Sequence, residues 1–289
     1  MDKIRIGIGV PSIGRFLPFV GAAAGLFDRH HIAVEVINQN DEEKIVEDIV
    51  SQATPIGTPN APSLLFSRLR GNDLVVIGGI LNRPAFYLAA NGKISSIEDL
   101  KEKRVGINQP RRMAGMMMLA LLRRWALDST RDLELVDLGV NDRSVDALRA
   151  GEIDAALLPP EKAFLMETEG FRLIADSLDL DCQWVPLATT RRFLAQHRTL
   201  VTNVTSVYRD SIQLFKNDSQ MVIDVIRRQL PALNNRSQVI EKCCRAFAPL
   251  FEPNLTLSLA SLRSILAEVV LQDPRAKELD PSGFIEKVV

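Results

Sequence analysis

From its first residues the chain alternates between short apolar runs and segments of helical periodicity. "IRIGIGV" is followed by "LPFVGAAAGLFDRH", "IAVEVI" by "EEKIVEDIVSQ", "PIGTP" by "PSLLFSRLRG", and then comes "DLVVIGGIL". Strands joined through helices pair in parallel by crossovers lying on the sheet faces, so this order predicts βαβ units with helices on both faces. The runs "IRIGIGV" and "DLVVIGGIL" are apolar almost without a break, as in strands covered on both sides. An α/β fold with mostly parallel sheets follows.

A second set of α/β units begins after "YLAANGKI". In it "SSIEDLKEK" reads as a helix opened by a capping box, with Ser95 as N-cap and Glu98 three residues on, and leads into the strand "RVGIN". The helix from Arg112 to Leu127, the strand "LELVDLG", the helix "SVDALRAGE", the strand "AALLP", the helix "PEKAFLMETEG" and the strand "FRLIADS" complete it. After "DLDCQWVPLATTR" the pattern turns to amphipathic helix, from Phe193 to about Val270, interrupted at Pro231 and Pro249. Two α/β lobes and a helical C-terminal portion are expected.

A chain of 289 residues, 46% of them hydrophobic, can bury two such cores. Its 35 Lys and Arg against 36 Asp and Glu leave no basic field, so no nucleic-acid partner is expected. Cys182, Cys243 and Cys244 form neither a CxxC nor a spacing with His, which signals no zinc and no disulfide framework. No run of about 18 apolar residues predicts a membrane span. The opening "MDKIRIGIGV" starts a strand without a charged and apolar leader, so either a leader has been removed or the protein is cytosolic.

Three stretches together resemble type II periplasmic substrate-binding proteins of ABC importers, in the nitrate, sulfonate, taurine and pyrimidine-precursor (NMT1/THI5-like) branch. They are "VPSIGRFLPFVGAAAGLFDRHHIAVEVI" with Gly25, Leu26 and Phe27 closing the first helix, "ISSIEDLKEKRVGIN", and "DALRAGEIDAALLPPEKAF" with Ala147, Leu148, Gly151, Asp154, Ala155 and Ala156. Glu102 stands where Gly is usual in that branch, and Thr54 where an Asp is common. The resemblance covers about residues 4–190. It implies a two-lobed fold with a hinge, crossings near 87–91 and 177–185, a first lobe made of residues 1–88 and 186–289, and a second of 89–185. It also implies a small-molecule ligand held between the lobes, an importer permease as partner if the protein serves transport, a periplasmic or extracytoplasmic location, and a monomer.

Ligands of open α/β sheets gather at the carboxyl ends of the strands, where helix N-termini present unsatisfied N–H groups. Five loops qualify: 12–17, 58–62, 82–86, 108–115 and 159–162. In the loop 108–115 Asn108 and Gln109 offer amides, and Arg111 with Arg112 offers bidentate donors to an anionic group; the alternative is that the arginines face solvent or pair with Glu161 or Asp142. Thr58 and Asn60 offer a hydroxyl and an amide, with an N-cap role as the alternative for Asn60. Asn82, Arg83 and Phe86 stand near the first crossing, and Glu161 could accept from a ligand amine or simply favour the helix dipole. Ser12, Arg15, Phe16 and Trp184 complete the candidates, with core packing as the alternative for the two aromatics. Ala114, Met117, Met118, Leu121, Leu122 and Trp125 recur at helical spacing and read as core.

No dinucleotide fingerprint, P-loop, GxSxG or HExxH occurs, and His30, His31 and His197 lack catalytic companions. No catalytic residue, metal or cofactor is expected. The primary expectation is a solute-binding protein for a small anionic or heteroaromatic molecule. The alternative is a cytosolic enzyme on the same bilobed fold, similar to those of thiamine-pyrimidine or menaquinone biosynthesis or to an aromatic-acid decarboxylase, with "KCCRAF" a faint echo of a Cys-rich run.

Overall fold

The computed structural model describes residues 1–139 and 141–288, apart from the side chains of Asn141 and Asp142. Asp142, one expected partner for the arginine pair, is thus outside the described side chains. Strands β1 (Asp2–Ile8), β2 (Ile32–Asn38), β3 (Ile56–Thr58), β4 (Leu74–Leu81), β5 (Tyr87–Ala90), β6 (Arg104–Ile107), β7 (Glu134–Asp137), β8 (Ala155–Leu158), β9 (Arg172–Asp176) and β10 (Val185–Thr190) form two five-stranded sheets, in the orders β2-β1-β3-β10-β4 and β7-β6-β8-β5-β9.

The chain divides into two compact units, Met1–Asn82 with Cys182–Val289, and Arg83–Asp181. Both sheets are mixed. β1 pairs in parallel with β2 and β3, and β6 with β7 and β8, as the alternation predicts. The strand that follows each crossing runs against its neighbours: β10 is antiparallel to β3 and β4, and β5 to β8 and β9. The unit boundaries fall at 82/83 and 181/182, the second within the expected crossing range 177–185 and both before the lobe limits 88/89 and 185/186. Tyr87 and Leu88 pair with Leu158 and Leu157 inside the second sheet, and Val185 pairs with Leu81 inside the first.

In the first unit β4 is buried along its whole length, the physical counterpart of its unbroken apolar run. Ile45, Val46 and Ile49 of the helix Glu42–Val50 and Leu64 of the helix Ala61–Leu69 close over Leu74, Val76 and Ala188. The expected first helix is two, Leu17–Ala23 and Leu26–Arg29, because Gly25 adopts φ 64° between them. The helical C-terminal portion belongs to this unit and includes Arg198–Asn217, Ser219–Gln229, Ser237–Phe247 and Leu259–Gln272. No helix among the described residues is long and apolar enough to cross a membrane.

The second unit packs Leu138, Val145, Leu148 and Ile153 with Ala89, Ala156, Leu158, Ala163 and Met166. The helix Met113–Arg124 is buried continuously from Met113 to Met118 and again at Leu121 and Leu122, so its apolar run is core, while Trp125 is half-buried at its C-cap. The expected helix "SSIEDLKEK" is only a single 3-10 turn, Glu98–Leu100. Its box is closed by Asp99, not Glu98: the Asp99 carboxylate accepts from the backbone N–H of Ser95 (2.9 Å) and Ser96 (3.1 Å), which holds its pKa below the usual carboxylate range.

The signature residue Asp154 ties three strands. Its carboxylate accepts from the Arg104 N–H (2.9 Å) and guanidinium (3.2 Å) and from the Asn91 amide (3.2 Å). Burial pushes its pKa up, yet the bonds from Arg104 outweigh that and hold it below the usual range. Above about pH 3.9, the unfolded value, this contribution is fully present, and it is lost as the pH falls through the lowered folded value. Asp154→Asn is therefore expected to lower stability by about 1–2 kcal/mol at pH 7, with the gap to the parent narrowing in urea titrations at acid pH. Glu102 adopts φ 62°, the left-handed conformation that glycine takes without the steric cost a Cβ brings. Glu102→Gly is expected to raise stability by about 0.5–1 kcal/mol, read as a higher urea midpoint.

Candidate functional site

In the first unit the loops at the carboxyl ends of β1 and β3 are laced together by one carboxylate. Glu42, in the first turn of the helix Glu42–Val50, reaches back with both oxygens. Oε1 accepts from the Arg15 guanidinium and from the Val10 N–H (3.2 Å), and Oε2 accepts from the Asn60 N–H (2.8 Å). Arg15 also donates to the Val10 carbonyl at 3.0 Å. Arg15 and Glu42 are only 3% and 5% exposed, so this is a buried ion pair held in place by main-chain bonds. Gly9 leaves the room: a Cβ there would lie 2.5 Å from an Arg15 nitrogen and 2.7 Å from the Glu42 oxygens.

Around this pair, Ser12 Oγ, Thr58 Oγ1 and Arg15 Nε are buried polar atoms without a hydrogen-bond partner. Thr58 is the last residue of β3 and stands beside Ile8, the last of β1. Ser12 opens the single turn Ile13–Arg15, its carbonyl accepting from the Arg15 N–H at 2.8 Å. Buried hydroxyls left unmatched cost free energy, so these atoms are expensive to keep in the folded chain.

The other first-unit candidates have structural tasks. Asn60 caps the helix Ala61–Leu69, its side-chain oxygen accepting from the Ser63 N–H at 2.8 Å. The Asn82 amide donates to the Thr256 carbonyl at 2.8 Å and lies over Gly79, where a Cβ would come within 2.6 Å of its oxygen. Phe16 is 1% exposed and meets Phe19 edge-on, and Trp184 stacks on Phe247 at 6.1 Å between ring centroids, its carbonyl accepting from the Ala61 N–H.

In the second unit, the loop after β6 turns through Gln109, at φ 27°, whose side-chain oxygen accepts from Arg112 Nε at 2.7 Å. Arg111 is exposed and Arg112 half-buried, at the N-cap of the helix Met113–Arg124. Asn108 is buried, its side-chain oxygen taking the Ser144 hydroxyl at 2.7 Å. Glu161, 6% exposed, stands in the first turn of the helix Pro160–Thr168. Arg83 is exposed, whereas Phe86 is buried with its backbone locked to Ser177: its N–H donates to the Ser177 hydroxyl and its carbonyl accepts from the Ser177 N–H, both at 3.0 Å.

Two residues were not foreseen. Gln183 is fully buried, its amide donating to the Leu81 carbonyl at 3.1 Å while its oxygen has no partner. Glu42 follows the N-cap Asp41 and looks, in sequence, like an ordinary first-turn acid; nothing local tells that it reaches residues 18 to 32 positions away. Among the described residues no cluster of metal-ligating side chains occurs. Cys243 is buried, and burial pushes the Cys244 thiol up to about 11.

A family model described as NMT1/THI5 like matches residues 16–221. A curated 4-amino-5-hydroxymethyl-2-methylpyrimidine phosphate synthase from Uromyces fabae is 27% identical over 160 residues, 54% of this chain; the match spans 46% of that relative's length. Among solved structures, the periplasmic aliphatic sulphonate binding protein of Escherichia coli superposes with a TM-score of 0.84 at 17% identity, over 99% of this chain and 92% of that one. The alkanesulfonate-binding protein of Xanthomonas axonopodis pv. citri, bound to MOPS, gives 0.79 at 18% over 99% of each chain. A Candida albicans protein with the periplasmic binding protein fold gives 0.75 at 12%, over 99% of this chain and 97% of that one. The fold is thus that of the periplasmic binding proteins.

Removing one member of the buried pair leaves the other uncompensated. Glu42→Ala is expected to cost about 3–5 kcal/mol, seen as a much lower thermal midpoint, and the double variant Arg15→Met with Glu42→Leu to recover a large part of it.

Proposed function

Because the chain belongs to the NMT1/THI5-like family, we propose that it is a solute-binding protein that captures one small molecule, anionic or heteroaromatic, and delivers it to an ABC importer. The observation that carries this reading is the set of buried, unpartnered polar atoms of Ser12, Arg15 and Thr58 at the carboxyl ends of β1 and β3. Main-chain bonds to Glu42 fix their loops before any ligand arrives, which spares ordering cost on binding. The solute-binding names of the solved relatives support the same reading and an extracytoplasmic location.

In this proposal, capture draws on both lobes and closes them by a hinge, with contacts to the ligand supplying the preference for the closed state. Arg111 or Arg112 of the second unit meets the acidic group of an anionic ligand. Arg83, Phe86, Asn108, Gln109 and Glu161 stay candidates for polar and ring contacts.

The enzyme reading has one specific support, the curated pyrimidine phosphate synthase. A buried Cys243 and a Cys244 thiol pushed up to about 11 do not suit nucleophilic chemistry at "KCCRAF". Native mass spectrometry of the purified protein, followed by release and identification of what it carries, decides between them. One small molecule per chain, released unchanged and binding again with a fall in scattering radius, is the expected result. Chemical turnover of that molecule would overturn the transport reading, and rebinding without compaction would overturn hinge closure.

A further inference from the structure

Resting on the reading of this chain as a solute-binding protein, we infer that the loops after β1 and β3 receive an uncharged hydrogen-bonding group of the ligand, and that Glu42 sets this preference by cancelling the charge of Arg15. A buried arginine at strand ends would ordinarily read as an anion receptor. Here its Nη1 donates to both a carboxylate and a main-chain carbonyl, and the carboxylate balances its charge. The carboxylate in turn spends Oε1 on Arg15 and Val10 and Oε2 on Asn60, so its own oxygens are engaged and the pair carries no net charge.

The buried polar atoms left unmatched on these loops are two hydroxyls, Ser12 Oγ and Thr58 Oγ1, and the Nε N–H of Arg15, whose bonds to Glu42 and Val10 both leave from Nη1. Ser12 is 7% exposed and Thr58 fully buried, so water does not stand in for a partner cheaply. A hydroxyl both donates and accepts, and the guanidinium N–H donates. Together these suit an alcohol, a carboxamide or a ring nitrogen with its neighbouring N–H. A bare anion brought here would lose its hydration without gaining an uncompensated cation. Glu42 is thus a positioning residue, acting through Arg15 and the two loops rather than by touching the ligand.

The test uses methanesulfonate as the anionic probe and thermal midpoints at matched ionic strength, with chloride as the control. Glu42→Gln uncovers the charge of Arg15 and is expected to gain a methanesulfonate-dependent rise of about 3 °C at tenfold excess over its dissociation constant. Wild type and the neutral double variant Arg15→Gln with Glu42→Gln are expected to respond equally to each other. A wild-type response that disappears in the double variant would overturn the inference, and so would Glu42→Gln showing no gain.

Should Glu42→Gln fail to fold, Thr58→Val carries the test. Loss of an unmatched hydroxyl is expected to raise the midpoint of the ligand-free protein by about 2 °C while lowering the share of chains that carry a small molecule in native mass spectra. A lower midpoint, or unchanged occupancy, would show a structurally partnered hydroxyl and overturn it. A chain that carries no solute at all fails the test of the proposed function and leaves the anion response of Glu42→Gln as it is.

Discussion

The buried contact between Glu42 and Arg15 organises the upper edge of the first sheet. Neither group is tolerated alone in an apolar interior, so each specifies the other, and the bonds of Glu42 to Val10 and Asn60 extend that demand to two loops. Three segments far apart in sequence are thereby held in one arrangement. The glycine at position 9 belongs to the same constraint, since any side chain there would collide with the pair.

Most of the architecture was legible because it depends on period and length. Unbroken apolar runs marked β1 and β4, and helical spacing marked Glu42–Val50, Ala61–Leu69 and Pro160–Thr168. The misreadings share a cause in nonlocal pairing. β5 and β10 are antiparallel, which periodicity does not encode, so which sheet the strands beside the crossings join is visible only in their pairing. "SSIEDLKEK" carried a sound cap signal but lacked the tertiary cover that would extend one turn into a helix, and the acid one residue further along took the bonds.

For the site, the residue types were readable and their assignments were not. Thr58 and Asn60 stood out together, yet only Asn60 is consumed by capping, while the Thr58 hydroxyl is left unmatched. Arg15 is legible only as a candidate loop residue; its neutralisation depends on Glu42, whose sequence position gives it the appearance of a routine helix-start acid. Of the two arginines of the second unit, Arg112 is half-buried and donates to the Gln109 side chain, and Arg111 is exposed.

The sheet order has a consequence for synthesis. β10 lies between β3 and β4, yet more than a hundred residues separate β4 from the end of that strand, and all of Arg83–Asp181 intervenes. As the chain emerges from the ribosome, the second unit is contiguous and can complete its own sheet, whereas the first must wait with the edges of β3 and β4 unpaired until residues 185–190 arrive. The inserted unit is therefore the natural first folder, and the earlier-made half of the protein is the one that needs shielding from aggregation.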